Sequence, residues 1–263
     1  MNLSASISTL LSTFIVSLIS FVGVLTLGFN RKKLDSMLIL LISLSVGGLL
    51  GDVFIHLLPE VSQERGGFTL NVSLMVLAGI LVFFVLEKFI LWHHHHEIET
   101  PEEHAKEIHS HDVCSLRSMR TMNLIGDGLH NFTDGLVIAA SFLVSPTLGI
   151  STTLAVILHE IPQEIGDFGV LIHTGLTVKK ALFFNFLSAL ACIFGALVVI
   201  TIGHEVSGLN QFLIPITAGG FLYIAGSDLV PELKKAPGSK SSFTQLVFIL
   251  IGIGLMFGLK YLE

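Results

Sequence analysis

Charge is scarce in this chain of 263 residues: Asp, Glu, Lys and Arg together make up 13% of it, against 52% for the apolar residues. A soluble domain of this length carries roughly twice that charged share. With a mean hydropathy of +0.82, an ordinary water-soluble globule is excluded. Cysteine is nearly absent. Cys114 sits in a polar connection and Cys192 in an apolar run, so neither a disulfide framework nor a CxxC metal motif can be built. There is no basic segment ahead of the first apolar run. Positive charge follows that run, at Arg31, Lys32 and Lys33, so it reads as a retained first span and not as a cleaved leader. No phosphate-binding GxxxxGK[ST] loop occurs, which removes ATP as an energy source within this polypeptide. The formal net charge of -6 sits in short loops and a few positions inside the spans. No nucleic-acid partner is expected.

What is present is a succession of apolar runs, each long enough for the ~20 residues that cross a bilayer. Hydropathy places spans near residues 5–29, 37–58, 69–92, 119–143, 149–174, 180–203, 211–232 and 243–262. The expected fold is all-α: a polytopic membrane protein of eight transmembrane helices forming a single transmembrane domain over 1–263. Spans four and five are polar enough to need a second argument, which the distribution of basic residues supplies. Lys and Arg accumulate on the cytoplasmic side of membrane proteins. With eight crossings and an outside N-terminus, twelve of the fourteen basic residues fall inside or at inner helix ends. Only Arg65 and Lys260 fall outside. Both termini are therefore expected outside.

The longest connection, residues 93–118, is also the only low-complexity stretch. It holds His93, His94, His95, His96, His104, His109 and His111 among acidic residues, and its lack of apolar residues predicts disorder. Imidazole-rich tracts bind Zn(II). The stretch reads either as a plain solvated linker or as a weak metal buffer or sensor at the cytoplasmic mouth, outside the transport site. Deleting it should leave transport largely intact.

Spans four and five carry the chemistry. Span four reads His130-Asn131-Phe132-Thr133-Asp134, and span five reads His159-Glu160-Ile161-Pro162-Gln163-Glu164. Residues four apart share a helix face, so His130 stacks on Asp134, His159 on Gln163 and Glu160 on Glu164, with Asn131 at the border. An ionised carboxylate at the centre of a bilayer helix costs on the order of 2.5–3.5 kcal/mol. A divalent cation removes that cost and the mutual repulsion of two carboxylates together. Imidazole and carboxylate suit Zn(II), and also Fe(II), Mn(II), Co(II) or Cd(II), better than Cu(I). Pro162 frees the carbonyl of Leu158, and unpaired backbone at membrane depth is tolerated where it lines a pathway. Gly126, Gly128, Gly135, Gly166 and Gly169 would let helices approach closely. A set of interhelical hydrogen bonds that only binds the bundle together is the competing reading of the same residues.

The segments HNFTDG and HEIPQEIGDFGVLIHTG, with GGLLGDVFIHLLPE in span two, resemble the ZIP (Zrt/Irt-like) family of zinc and iron permeases. They look like its branch with H-E-x-P-H-E in the fifth helix. The resemblance covers nearly the whole chain. It implies a transporter that moves a divalent metal, zinc first, into the cytoplasm, with zinc as cargo and no organic cofactor. It also implies a pair of adjacent metal positions at the midplane, with ligands His130, Asn131, Asp134, His159, Glu160 and Gln163, and Asn185 of span six at a place where relatives have a polar or carboxylate ligand. The expected partners are divalent metal ions and the lipid bilayer, with a homodimer left open, in the plasma membrane or a bacterial inner membrane. One departure matters: Gln163 stands where this branch has His, and an amide oxygen is a weaker ligand than imidazole.

Other candidates are weaker. Asp52 and His56 form another i, i+4 pair, equally readable as accessory metal ligands or as a helix-to-helix hydrogen bond. Glu164 is a further accessory ligand. Asp127 and Asp167 lie one to two turns from the cluster, where roles beside the metal or in proton linkage are expected, not ligation. His173 and His204 read as interfacial. Two other functions compete with the carrier. His159-Glu160-x-x-Gln163 is one residue from the H-E-x-x-H motif of zinc hydrolases, although Gln163 removes the second imidazole and Pro162 interrupts the helix. A metal sensor would have the same site without flux.

Overall fold

The computed structural model describes residues 3–29, 31–65, 67–95, 110–202, 209–234 and 239–262. Among them there is no strand. Eleven α-helices follow one another: α1 (Leu3–Leu18), α2 (Arg31–Gly51), α3 (Leu58–Arg65), α4 (Leu70–His95), α5 (Ser110–Val144), α6 (Pro146–His173), α7 (Val178–Ala189), α8 (Ala191–Ile202), α9 (Leu209–Tyr223), α10 (Val230–Lys234) and α11 (Ser239–Leu259). Several are consecutive pieces of one rod. A 3₁₀ stretch, Ile19–Gly28, prolongs α1. A π-helical turn at Asp52–Leu57 joins α2 to α3, another at Ile224–Leu229 joins α9 to α10, and only Leu190 separates α7 from α8. The described residues thus form eight successive rods.

Five stretches are long and apolar enough to cross a membrane: Leu3–Gly28, Ser36–Gln63, Val178–Ile202, Gln211–Lys234 and Ser241–Leu259. The apolar stretch of α4, Leu70–Leu86, is shorter. The rods α5 and α6 are not among the five, because the polar residues that make them interesting also lower their hydropathy. Helix ends depart from the hydropathic limits as well. α4 runs to His95 and α5 begins at Ser110, so both helices enter the connection expected over 93–118. Hydropathy marks where the apolar surface stops. A helix continues beyond that point at little cost, since its backbone bonds are internal.

The rods pack in two sets. α2 lies against α11 and α4 against α9, while α5 is flanked by α6 and α8, and α1 with its 3₁₀ extension lies against α6 and α8. The approach of α5 to α8 depends on Gly135 and Gly195. A Cβ on the first would strike the carbonyl of Cys192, and one on the second the carbonyl of Phe132. Of the other glycines expected to permit such contact, Gly166 and Gly169 have nothing within 4 Å of a Cβ position, and Gly128 meets only the Ser188 side chain at 3.8 Å.

Helix breaks leave carbonyls that other helices satisfy. Both π-helical turns precede a proline, Pro59 in α3 and Pro231 in α10. Proline lacks an N–H and crowds the preceding turn, and the wider turn accommodates it. The carbonyl of Ile55, four residues before Pro59, accepts from Lys260 Nζ at 3.3 Å. The carbonyl of Ala189, at the α7–α8 break, accepts from Ser17 Oγ at 2.8 Å. The carbonyl of Leu158, freed by Pro162, has Ser45 Oγ of α2 at 2.5 Å. That last contact revises the expectation that the Leu158 carbonyl lines a pathway, because a hydroxyl from the neighbouring set of helices takes it. Ser45→Ala leaves this part-buried carbonyl without a donor. It should destabilise the protein by about 1–3 kcal/mol, read as a lower thermal midpoint in detergent with metal binding unchanged.

Candidate metal centre

α5 and α6 form a helical hairpin whose turn is a single residue. Ser145 caps α6, its hydroxyl accepting from Leu148 N at 3.1 Å, and Pro146 occupies the first helical position, where its missing N–H costs nothing. This turn sets the register. His130 lies 15 residues before Ser145 and His159 lies 14 after it, so the two imidazoles stand at the same height on antiparallel helices.

Four side chains converge there. His130 Nε2 is 3.2 Å from His159 Nε2, 3.4 Å from Glu160 Oε1 and 3.7 Å from Asp134 Oδ2. His159 Nε2 is 3.3 Å from Asp134 Oδ2 and 3.7 Å from Glu160 Oε1. All four atoms lie within 4.8 Å of one another. A tetrahedral zinc ion with bonds of about 2.0–2.1 Å requires ligand atoms about 3.3 Å apart. Five edges of the tetrahedron therefore already stand within a few tenths of an ångström of that value. His159, Glu160 and Asp134 are fully buried, and His130 is partly so.

The imidazole of His159 is oriented for this task. Its Nδ1 lies 3.1 Å from the carbonyl of Ala155. A carbonyl only accepts, so Nδ1 carries a proton, and Nε2 is the nitrogen that faces the cluster. This is the outer hydrogen bond that metal-binding histidines ordinarily make. The carboxylates lack such partners: both oxygens of Asp134 and both of Glu160 are buried without a hydrogen bond. Two ionised carboxylates at 4.8 Å repel by about 3 kcal/mol at an effective dielectric of about 20. Buried acceptors left unsatisfied in this way fit a cation.

The other sequence candidates fall at definite places around the four. Asn131, buried, donates through Nδ2 to Asp127 Oδ1 at 2.9 Å. Asn185 donates to Glu164 Oε2 and, at 3.2 Å, to the carbonyl of Ser20. Glu164 groups with Asp127 and Glu160 in a second buried set of carboxylates. Gln163, half-buried, lies one turn beyond His159 in a cavity of about 280 Å³ shared with His130, Thr133, Tyr223 and Asp228. Asp52 and His56 form a separate buried pair, Oδ1 to Nδ1 3.4 Å, with Thr152 Oγ1 donating to Asp52 Oδ2 at 3.2 Å. His96, His104 and His109 lie outside the described residues, as does His204. His93, His94, His95 and His111 lie on helix ends of which only the backbone is described.

Asp127 stands beside the four, held by hydrogen bonds from Asn131 and Ser188. It lies three residues before His130 and four before Asn131, a spacing that already placed it on the same face, and Ser188 of α7 donates to its other oxygen. No spacing announced Phe221, whose ring stands edge-on to His159 with centroids 6.0 Å apart.

Comparison with known proteins shows the family. The family profile described as ZIP Zinc transporter matches residues 3–114 and 92–260, which is nearly the whole chain. The chain is 34% identical over 280 residues to a zinc transporter ZIP13 homolog of Drosophila melanogaster, covering 87% of this chain and 79% of that protein. It is 36% identical over 230 residues to the zinc transporter ZIP13 of Pongo abelii, with 82% and 65% covered. With the zinc transporter zipt-7.2 of Caenorhabditis elegans it shares 30% identity over 274 residues, 87% of this chain and 59% of that protein. The chain belongs to the ZIP zinc transporter family. It is an integral membrane protein of a family of transporters, not of enzymes.

Proposed function

We propose that this protein carries divalent metal ions, zinc first, across a membrane into the cytoplasm, through a site made by His130, Asp134, His159 and Glu160. The observation that carries the reading is the set of near-tetrahedral distances among two imidazole nitrogens and two carboxylate oxygens. Two nitrogens and two oxygens match the borderline character of Zn(II), and the names of the relatives point to the same ion. Fe(II), Mn(II), Co(II) and Cd(II) are secondary cargoes.

The eight rods serve as eight crossings, with both termini outside, and the sorting of twelve basic residues to the inner side supports that orientation. In this orientation we read the cavity beside His130 as the inward route. It is lined by Gln163 and Asp228, and Asp228 lies six residues before Lys234 at the inner end of its rod. Phe221, fully buried, stands edge-on to His159. Such a state releases metal toward the cytoplasm, and alternating access requires a second state open outward.

The test is uptake by purified protein in liposomes loaded with a zinc-sensitive dye. Zinc should enter, iron, manganese and cadmium should compete, and no nucleotide should be needed. Zinc that binds without entering would make the protein a sensor and end the carrier reading.

A further inference from the structure

A second cavity lies against the one that holds His130 and Gln163. It encloses about 280 Å³ between α4, α5 and α9, and of its described lining residues only Thr133 and Thr217 carry a polar group. The hydroxyl of Thr133 is already spent, donating to the carbonyl of His130 at 2.7 Å. The gap follows from where the small residues stand. Gly79 of α4 and Gly219 of α9 bring those two helices into backbone contact, a Cβ on either striking a carbonyl of the other helix. α5 meets the pair with Leu129, Phe132 and Leu136 instead, and large side chains hold helices apart where small ones let them close up. The cavity has a mouth and a floor. Val82 and Leu129 at its rim are 46% and 40% exposed, while Val137 and Thr217 at its floor are 5% and 3% exposed.

Water is unsuited to this space, since it needs several polar partners and apolar cavities stay dry. Left empty, the lining forfeits the dispersion contacts of a close-packed interior. The surroundings supply a better occupant. The rim residues belong to α4 and α5, which we read as crossings, and Leu129 and Val137 stand on either side of the middle of the span 119–143. What touches the rim at that depth is the hydrocarbon of the bilayer, whose core is about 30 Å thick. An apolar cavity of about 150 Å³ takes a benzene ring, so this one has room for several methylenes in line.

We propose that this cavity binds one acyl chain of a membrane phospholipid, which enters between Val82 and Leu129 and ends at Val137 and Thr217. The described lining holds no charged side chain to receive a fatty-acid carboxylate, so the chain belongs to a lipid whose headgroup stays at the membrane surface.

The bound chain becomes part of the wall of the ion's route. Phe83, Leu86, Leu129 and Thr133 line both cavities, and hydrocarbon packed behind them keeps the polar cavity closed toward the bilayer. The inference rests on the reading of α4, α5 and α9 as crossings and is independent of which ion is carried.

The experiment uses the full chain reconstituted in phosphatidylcholine vesicles, with a share of the lipid carrying a diazirine in the distal half of one chain. Light converts the diazirine, with loss of dinitrogen, to a carbene that inserts into a neighbouring C–H bond, and peptide mass spectrometry locates the adducts. Lipid-facing residues are labelled in any case, so Leu81 and Val85 of α4 and Ile125 of α5, all exposed, serve as the reference. Adducts are expected on Val137 and Thr217 as well. The variant Leu136→Trp, which fills the cavity, should lose those two and keep the reference adducts. Adducts confined to exposed residues, or adducts on Val137 and Thr217 that Leu136→Trp leaves in place, overturn the site and leave the crossings standing. Adducts on Leu81 with none on Ile125 remove α5 from the bilayer, and the reading of its crossing fails together with the site. The same diazirine on a free fatty acid tests the other source: labelling of the floor by the fatty acid alone overturns the assignment to phospholipid. If Leu136→Trp fails to fold, the wild-type adducts still decide.

Discussion

Replacing Asp134 by Asn is expected to reduce zinc uptake by at least a hundredfold. The substitution keeps the volume and removes the charge. In the folded protein Asp134 Oδ2 stands 3.3 Å from His159 Nε2 and 3.7 Å from His130 Nε2, and neither of its oxygens has a hydrogen-bond donor. An ion in the centre is therefore the partner that its burial requires. Removing one member of a buried charged set costs about 3–5 kcal/mol, and each 1.4 kcal/mol is a factor of about ten in affinity. The expected loss of binding is thus about two to three and a half orders of magnitude. Thermal denaturation separates this effect from misfolding. A ligand that binds only the folded state raises the midpoint, so zinc should raise that of the wild type and leave that of the variant unmoved. Near-normal uptake with Asn at this position would remove the carboxylate from the site, and the tetrahedral reading with it.

Much of the centre was legible because helical spacing fixes it. His130 and Asp134 are four residues apart. His159 and Glu160 are adjacent and flank one face, and the Ser145-Pro146 turn sets the two helices level. Each of these facts is local, and local facts survive folding. What could not be read depends on a neighbour far away in sequence. The carbonyl of Leu158 was legible as freed by Pro162, but the hydroxyl that takes it belongs to Ser45, 113 residues earlier. Asn185 was grouped with the ligands by resemblance, and the partners of its Nδ2, Glu164 and the carbonyl of Ser20, lie far away in sequence. The π-helical turns before Pro59 and Pro231 had no signal beyond the prolines. The pair Asp52 and His56 was legible as a pair, while its third member, Thr152, came from α6.

The same division explains the membrane spans. Five rods declare themselves by length and composition. The two that carry the chemistry do not, since Asp127, His130, Asp134, His159, Glu160 and Glu164 depress their hydropathy. A helix of that composition is stable in a bilayer only when its polar face is covered. Here that face is covered by α5 and α6 themselves, with α7 supplying Asn185 and Ser188 and α9 supplying Phe221. Fold and site are therefore one problem: the polar stripe that defines the centre is what obliges the helices to associate around it.

Gln163→His should tighten zinc binding by about tenfold, equivalent to about 1.4 kcal/mol, and slow transport. Gln163 sits one turn beyond His159 on the same face of α6 and shares the wall of a cavity with His130. The four converging residues are two histidines and two carboxylates, and Gln163 stands beside them. An imidazole in its place adds a nitrogen donor, which Zn(II) prefers to an amide oxygen. Because the cavity is the route by which we expect the ion to leave, tighter binding on its wall lengthens residence, and the cost appears in turnover. Discrimination is expected to change as well: zinc should gain over manganese, which favours oxygen. Equilibrium competition in detergent would give the affinities, and initial rates in liposomes the turnover. Should both metals bind and move as they do in the wild type, Gln163 lies off the ion's route, and the inward cavity it lines is not the exit.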